Sequence, residues 1–582
     1  MTPAIDPRRG DIEDDASSSR RRSLLSLAGS LLAEISLPKL ATAFVLTIVL
    51  PALALGVAPV LVAVWLGKLS SKFSTALAGF WPAVLLVMVL VVGWFGGRPL
   101  FRLAESSFWA LNSLAVQPGY TMCREALRHI AERFLSAQAS KARRAQLRAI
   151  AAVVSGAVIC ALSLWALAAA WPRSDLLYGL AGVGSLESFV GVALANSVVL
   201  VAGYLAIAAL AWGIADAAMP QPRDLDAFDA QPDAGRSWRV AHLSDVHVVG
   251  ERYGFRLECG RSGPRGNARL RRLLAQLDRL DADAPLDAIL VTGDMTDAGR
   301  SSEWAEFLDA VAAHPRLAAR MLMIPGNHDL NIVDRSNPAR LDLPLSPYKR
   351  LRKLRALSAM DALQGERVFV IDHARRRLGT TLAATIAPHR DAIARFADLG
   401  RPRISPELAR LWTAVFPMVL PPDSEDGLGI ILLDSNAETH FSFTNALGMI
   451  SADQARGLEI ARALYPRAAW IIALHHHVAE YPGPAKKLSV RIGTALINGN
   501  WFVRRLKPLA GRAVLMHGHR HIDWIGECGS LPIISAPSPV MEATDEAATC
   551  FYIHTLARGA DGRLRLLRPQ RITVAGEPGS HD

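Results

Sequence analysis

The chain is short of cysteine. Its 582 residues hold five, Cys123, Cys160, Cys259, Cys528 and Cys550, scattered and without a C-x-x-C pair. An odd, sparse set of this kind excludes a disulfide framework and suits a reducing compartment. Charge is also scarce, at 20% of residues, while apolar residues reach 51% and the mean hydropathy is +0.22. That balance is too apolar for a wholly soluble chain and points to membrane segments. No nucleic-acid motif is present, and the basic residues are not interleaved with aromatics. The net charge of +11 is therefore read as attraction to an anionic bilayer, and no nucleic-acid partner is expected.

The length allows two or three domains. Residues 1–37 are polar and serine-rich and read as a disordered cytoplasmic N-terminus. Within them Ser19-Arg20-Arg21-Arg22-Ser23-Leu24-Leu25 resembles a twin-arginine signal. The apolar stretch after it is short, is broken by Glu34 and lacks a small-residue cleavage site, so a basic flank before a membrane helix is the better reading. Residues 38–214 form an all-α transmembrane region of about four helices. The spans lie at about 41–66, 76–94, 149–171 and 189–212, each near or above the roughly 20 residues a bilayer needs. Pro51 and Pro59 kink the first, and Trp65, Trp81, Trp94, Trp171 and Trp212 fall near span ends, as an interfacial belt does.

Basic residues set the orientation. The flank carries Arg20, Arg21, Arg22 and Lys39, and the second-to-third connection carries nine more from Arg98 to Arg148, whereas the third-to-fourth connection has only Arg173. Both termini and the long middle loop belong on the cytoplasmic side, which makes this an integral protein of a bacterial inner membrane with everything after the fourth span cytoplasmic. Asn196, deep in the fourth span, reads as an interhelical hydrogen-bonding group. Glu125, Arg128, Glu132 and Arg133 fit a charged helix between spans.

Residues 215–237 read as a linker. From 238 to 556 short apolar strands alternate with helical patterns, the signature of an α/β domain. Residues from about 334 to 426 read as a cap-like insert and 557–582 as a C-terminal tail. In the insert, the helix opened by Ser346-Pro347 has Leu351, Leu354, Leu357 and Leu363 on one face and Lys349, Arg350, Arg352, Lys353 and Arg355 on the other. Two readings are open: a cap packed on the domain, or a basic surface that docks on anionic lipid.

Chemistry gathers at the strand ends. Trp238–Leu243 runs into Ser244-Asp245-Val246-His247, whose Asp245 and His247 are two apart and share a side. Ala288–Thr292 runs into Gly293-Asp294-Met295-Thr296-Asp297, and Met321–Ile324 into Pro325-Gly326-Asn327-His328-Asp329. Trp470–Leu474 ends in His475-His476-His477, and Ala513–Met516 in His517-Gly518-His519-Arg520-His521. Open α/β sheets place their sites at the carboxyl ends of strands. His242 and His517 read as structural, and Asp297 as a turn or capping residue. Of the adjacent histidines His475 follows its strand directly and is taken as the ligand, with His476 as the alternative. Carboxylate, imidazole and amide together suit Mn, Fe or Zn and match Ca poorly. Seven ligands exceed one tetrahedral zinc but serve two divalent ions that share a carboxylate.

This order of motifs resembles the calcineurin-like metallophosphoesterase superfamily, over roughly residues 238–556. The resemblance implies a four-layer α/β/β/α sandwich. It implies that Asp245, His247 and His521 hold one metal and Asn327, His475 and His519 the other, with Asp294 bridging. His328 would stand just outside the metals as the acid for the leaving oxygen, and Asp329 would orient it. A hydroxide between the metals would attack a phosphodiester or phosphomonoester. Leu433-Asp434-Ser435-Asn436, with Gly448, Ser451 and Gln454, is similar to the phosphodiesterase branch. The expected partners are a phosphate-ester substrate and the bilayer. The alternatives are a hydrolase of a lipid-linked phosphate or pyrophosphate, and a metal- or ligand-sensing module coupled to the membrane helices. A sensor that had abandoned catalysis should have lost ligands, and every expected position is kept.

Overall fold

The computed structural model describes residues 3–9, 41, 44–76, 84, 117–135, 140–176, 185–230, 235–251, 266–331, 347–400, 404–438, 445–483, 496–541, 544 and 546–576. The chain divides into two compact units. One is built mainly from Ser36–Met219, the other from Pro220 onward together with the N-terminal residues.

The first unit is helical. Helix α1 (Leu50–Ala76) follows a π-helical turn at Val45–Val49 and contains Pro59. Helices α2 (Gln117–Arg133), α3 (Lys141–Ala170) and α4 (Leu186–Ala217) follow. Among the described residues two helices are long and apolar enough to cross a membrane, Lys141–Arg173 and Leu186–Ala217, and Leu50–Val64 is a shorter apolar helix. The expected span at about 76–94 lies almost wholly outside the described residues, as does the sequence around Arg20–Arg22. Asn196 makes the interhelical bonds expected of it. Its amide donates to the Gly56 carbonyl on α1 (3.1 Å) and the Asp175 carbonyl (2.9 Å), and its oxygen accepts from the Asp175 N–H (2.7 Å).

Helix α2 is turned the opposite way from a solvated charged helix. Glu125 and Arg128 are buried and paired at 2.9 Å, Arg148 on α3 holds Glu132 at 2.9 Å, and Arg124 is paired with Asp216 of α4. Met122, Ile130 and Phe134, at 52%, 51% and 87% exposure, face outward.

The second unit is a mixed α/β structure. In chain order it runs β1 (Pro222–Asp224), β2 (Ser237–Leu243), α5 (Ala268–Asp283), β3 (Ala288–Val291), α6 (Ser301–Ala312), β4 (Met321–Met323), α7 (Asn327–Leu330), α8 (Pro347–Gln364), β5 (Phe369–Asp372), β6 (Arg377–Thr381), α9 (Ser405–Val415) and β7 (Met418–Leu420). It continues through β8 (Leu428–Leu432), α10 (Ala452–Leu464), β9 (Ala469–Ala473), β10 (Ala513–His517), β11 (Trp524–Cys528), β12 (Leu531–Ser535), β13 (Thr549–Arg558), β14 (Leu564–Leu566) and β15 (Gln570–Val574). One sheet has the order β1-β11-β12-β10-β9-β8-β7-β5-β6, the other β14-β13-β2-β3-β4 with β15 on β13. Strands β2, β3 and β4 are parallel, as are β8, β9, β10 and β12. Such doubly covered strands read as unbroken apolar runs, as Ala288–Val291 and Ala469–Ala473 do. Val240, Leu290 and Leu322 from one sheet share a single core with Ile471, Val514 and Ile534 from the other and with Leu273 and Leu277 of α5.

Four boundaries differ from expectation. The supposed linker contributes β1, paired with β11, and the supposed tail contributes β14 and β15. These strands are three to five residues long, too short to show a period. The insert is no appendage, because β5, β6 and β7 extend the larger sheet beyond β8. Nor are residues 3–9 loose: Ile5 lies in the core, its N–H donates to Ser358 Oγ at 2.8 Å, and Arg8 Nε donates to Asp309 at 3.1 Å.

Candidate metal centre

The parallel strands end in register, Leu243 beside Val291 beside Met323 in one sheet and Ala473 beside Met516 in the other. The loops leaving those ends therefore start at one level. Backbone bonds zip them together: Asp245 N–H donates to the Gly293 carbonyl (3.0 Å) and His247 N–H to the Asp294 carbonyl (3.0 Å). Among the described residues six non-glycine positions have positive φ, and five of them are expected ligands: Asp245 (55°), His247 (45°), Asp294 (53°), His519 (76°) and His521 (53°). Each such residue costs on the order of 1–3 kcal/mol, and strain of this kind concentrates where function demands it.

Close approach explains Gly326. A Cβ there would stand 2.1 Å from Asp294 Oδ1 and 2.2 Å from Asp294 N. Its φ of −96° is ordinary, so the requirement is space and not a turn.

Among the described residues three side-chain groups converge. Asp245, His247 and His521 form one, and Asp294, His475 and His519 another. His521 Nε2 lies 3.3 Å from Asp245 Oδ1 and 3.4 Å from His247 Nε2. His475 Nε2 lies 3.0 Å from Asn327 Oδ1, 3.1 Å from His519 Nδ1 and 3.3 Å from Asp294 Oδ2. The same Asp294 oxygen is 3.8 Å from His247 Nε2, which places Asp294 between the two groups. His475 Nδ1 must carry its proton, since its partner at 2.8 Å is the Thr292 carbonyl, so Nε2 presents a lone pair to the cluster. His476 pairs instead with Ser435 Oγ (2.9 Å) and belongs to neither group.

Lone pairs set 3.0–3.3 Å apart repel unless a cation or proton lies among them. A metal with bonds of about 2.1 Å at right angles separates its ligands by about 3 Å, so these residues fit a divalent ion. In the metal-free chain a proton takes that place. Burial lowers the His475 imidazole, but the Asp294 and Asp245 carboxylates outweigh it and lift it to about 9. Burial pushes Asp294 up, and the imidazoles of His475, His328 and His247 reverse this and hold it well below the usual carboxylate range.

A third group, His247, Asp297 and His328, corrects two expectations. Asp297 is not only a turn residue. Its carboxylate is 3.4 Å from His247 Nδ1, and its carbonyl accepts from His328 Nδ1 at 2.7 Å, so it orients both imidazoles. Asp329, expected to orient His328, does something else. Its carboxylate accepts from Gly326 N (2.8 Å), Thr296 N (2.9 Å), Thr296 Oγ1 (2.7 Å) and Met295 N (3.3 Å), stapling two metal-site loops together. Burial, helped by the Asp294 charge, raises it to about 6.

Several residues outside the expected ligand set position the loops. Ser435 Oγ accepts from the backbone N–H of both His475 and His476 at 3.1 Å, and Ser538 Oγ donates to the Asp245 carbonyl at 2.7 Å. Gln454 brackets Asp434 by accepting from its N–H (2.9 Å) and donating to its carbonyl (2.8 Å), and Asn436 donates to the Pro325 carbonyl (3.0 Å). The Leu433-Asp434-Ser435-Asn436 segment is thus framework for the site.

An α/β unit that brings Asp, His and Asn from five strand ends into two adjoining lone-pair clusters has the makings of a metal-binding domain. Residues 239–523 match the family described as Calcineurin-like phosphoesterase, and this part of the chain is a calcineurin-like metallophosphoesterase domain. No curated protein matches the chain. Among solved structures it is similar to a dimetal phosphatase from Danio rerio, at 12% identity over 58% of this chain and 99% of that one, with a TM-score of 0.32. It is also similar to the NAD nucleotidase of Haemophilus influenzae, at 11% identity over 59% of this chain and 51% of that one, TM-score 0.28. A purple acid phosphatase from yellow lupin seeds matches at 12% identity over 59% of this chain and 55% of that one, TM-score 0.25. The chain spans about half the length of these last two. The domain is a metal-dependent phosphoric ester hydrolase.

Proposed function

We propose that this chain is a membrane-anchored phosphodiesterase working at the cytoplasmic face. The observation that carries the enzymatic reading is the convergence of Asn327 Oδ1, His475 Nε2, His519 Nδ1 and Asp294 Oδ2 on one point. Asp245, His247 and His521 would hold one divalent ion, Asn327, His475 and His519 a second, and Asp294 both. When bound, the two ions supply positive charge that draws the phosphate oxygens and acidifies water.

The chain's own residues do the rest. The His328 N–H donates to Asp294 Oδ1 at 2.8 Å, which fixes the shared carboxylate. With His328 Nδ1 committed to the Asp297 carbonyl, Nε2 is the ring atom left to pass a proton to the leaving oxygen. Asp329 keeps the Asn327 and Asp294 loops at fixed separation.

Anchoring is supported by what α3 and α4 expose. Trp165 (72%) and Ile207 (74%) face outward from helices of membrane-spanning length, and α2 hides its charges while showing apolar side chains. In water that arrangement is backwards, and in lipid it is expected. The intact chain with Mn should hydrolyse bis(p-nitrophenyl) phosphate faster than p-nitrophenyl phosphate. Asp294→Asn or Asn327→Ala should lower kcat/KM by about 100-fold or more. A metal-loaded chain that cleaves neither ester overturns the proposal.

A further inference from the structure

The metal groups account for only one of the three adjacent histidines. His475 joins a group, while His476 and His477, at 0% and 3% exposure, join none among the described residues. A second imidazole, His519, lacks the usual support. Metal-binding imidazoles ordinarily hold their planes by donating the other ring N–H to an acceptor. His475 does so through Nδ1 to the Thr292 carbonyl (2.8 Å), and His247 turns Nδ1 toward the Asp297 carboxylate (3.4 Å). His519 Nδ1 points into the cluster, 3.1 Å from His475 Nε2, and its Nε2 is buried without a hydrogen-bond partner among the described residues. The ring torsion of histidine is broad, so such a ring, and the Nδ1 lone pair with it, turns unless packing stops it.

Neighbouring rings supply that packing. The His476 ring centre lies 4.4 Å from that of His519 with the planes at 44°, and His477 lies 6.0 Å away with the planes nearly parallel at 15°. His475 closes in edge-on, at 4.8 Å and 73°. Each of the first two is itself held. His476 Nδ1 pairs with Ser435 Oγ (2.9 Å), and Gly448 packs so closely that a Cβ there would stand 2.5 Å from His476 Cγ. Tyr481 stacks on His477 at 5.9 Å and 21°, and Glu480 Oε1 lies 3.5 Å from His477 Nε2. Glu480 also pairs with Arg520 at 3.2 Å, and the Arg520 guanidinium lies 5.3 Å from the Tyr481 ring centre. Arg520 directly follows His519. The contacts therefore close a circuit, from His519 through Arg520 and Glu480 to His477 and back to His519.

We infer that His477, with His476 beside it, is a positioning residue for His519: ring packing fixes the imidazole plane where other ligands use a hydrogen bond. Aromatic rings within about 7 Å attract in offset and tilted arrangements, and rings on several sides leave His519 one orientation. What matters at residue 477 is then a flat ring, so a phenyl group serves there and an aliphatic one does not. The inference rests on the reading of His519 as a metal ligand.

Two measurements on the intact chain test this. After EDTA treatment, calorimetric titration with Mn should show one ion bound about tenfold more weakly in His477→Leu, and within about threefold of the parent in His477→Phe. Loaded with cobalt(II), whose visible absorption reports ligand geometry, the parent and His477→Phe should share one spectrum and His477→Leu should give another. If His477→Leu does not fold, Glu480→Gln at its partly exposed position carries the test, with Mn binding weakened about threefold or more. The inference is overturned if the tested variant binds Mn as the parent does, if His477→Phe is as weak as His477→Leu, or if all cobalt spectra coincide. A parent chain that binds no Mn defeats the metal centre and the inference with it. Weakened Mn binding in His477→Leu, in a chain that hydrolyses neither p-nitrophenyl ester, upholds the inference and defeats the phosphoesterase reading instead.

Discussion

Glu303 holds the segment after Asp297 in place, and its carboxylate is costly to keep charged. It lies in the first turn of α6 at 2% exposure, and Oε2 accepts from Ala298 N (2.8 Å) and Arg300 N (3.1 Å). Burial, with the Asp297 charge adding to it and Arg300 opposing, pushes its pKa up to about 7 from 4.5. Between those values the folded domain binds a proton that the unfolded chain has released. Stability therefore falls as pH rises from about 4.5 to about 7 and is flat above, a loss of about 3 kcal/mol at 1.36 kcal/mol per pH unit. Glu303→Gln keeps an oxygen for both N–H groups and removes the charge. It should stabilise the domain by about 2–3 kcal/mol at pH 8 and leave it unchanged near pH 4. Proteolytic susceptibility of the domain in the intact chain, measured against urea at the two pH values, reads this directly. Equal stability of variant and parent at pH 8, or a gain that grows toward low pH, would refute the electrostatic reasoning.

Two further outcomes follow from the same geometry. Gly326→Ala places a methyl 2.1 Å from Asp294 Oδ1; a shift of about 1 Å in that loop should lower kcat/KM by about 100-fold, with circular dichroism unchanged. A loss of less than threefold would show that the two loops are not packed as described. Residues 3–9 dock on the phosphoesterase domain through Ile5 and Arg8, so the proposed membrane anchoring requires an even number of crossings between them. Tags at the two termini should then be cleaved by protease from the same side of sealed vesicles, and cleavage from opposite sides would contradict the docking.

The residues that converge were legible because five strand ends carry their chemistry within a few residues of an apolar run, as at Asp245-Val246-His247. What the helix of the insert does was not. Its basic residues have the spacing of a solvated face, and only the fold reveals that Arg352 and Arg355 reach the carbonyls of Leu330 and Gly299. Asp297 and Asp329 share a motif type but exchange expected roles, because which imidazole or N–H each carboxylate reaches depends on how the loops pack. Ile5 gave no signal at all, since one apolar residue in a polar segment has no period. The edge strands β1 and β15 were hidden for the same reason.

The two-ion site is tested most directly by metal content. The intact chain, loaded with Mn and freed of excess ion, should retain two ions per chain by elemental analysis, and Asp294→Asn should lose at least one. Retention of one ion or none by the parent chain would contradict a two-ion site.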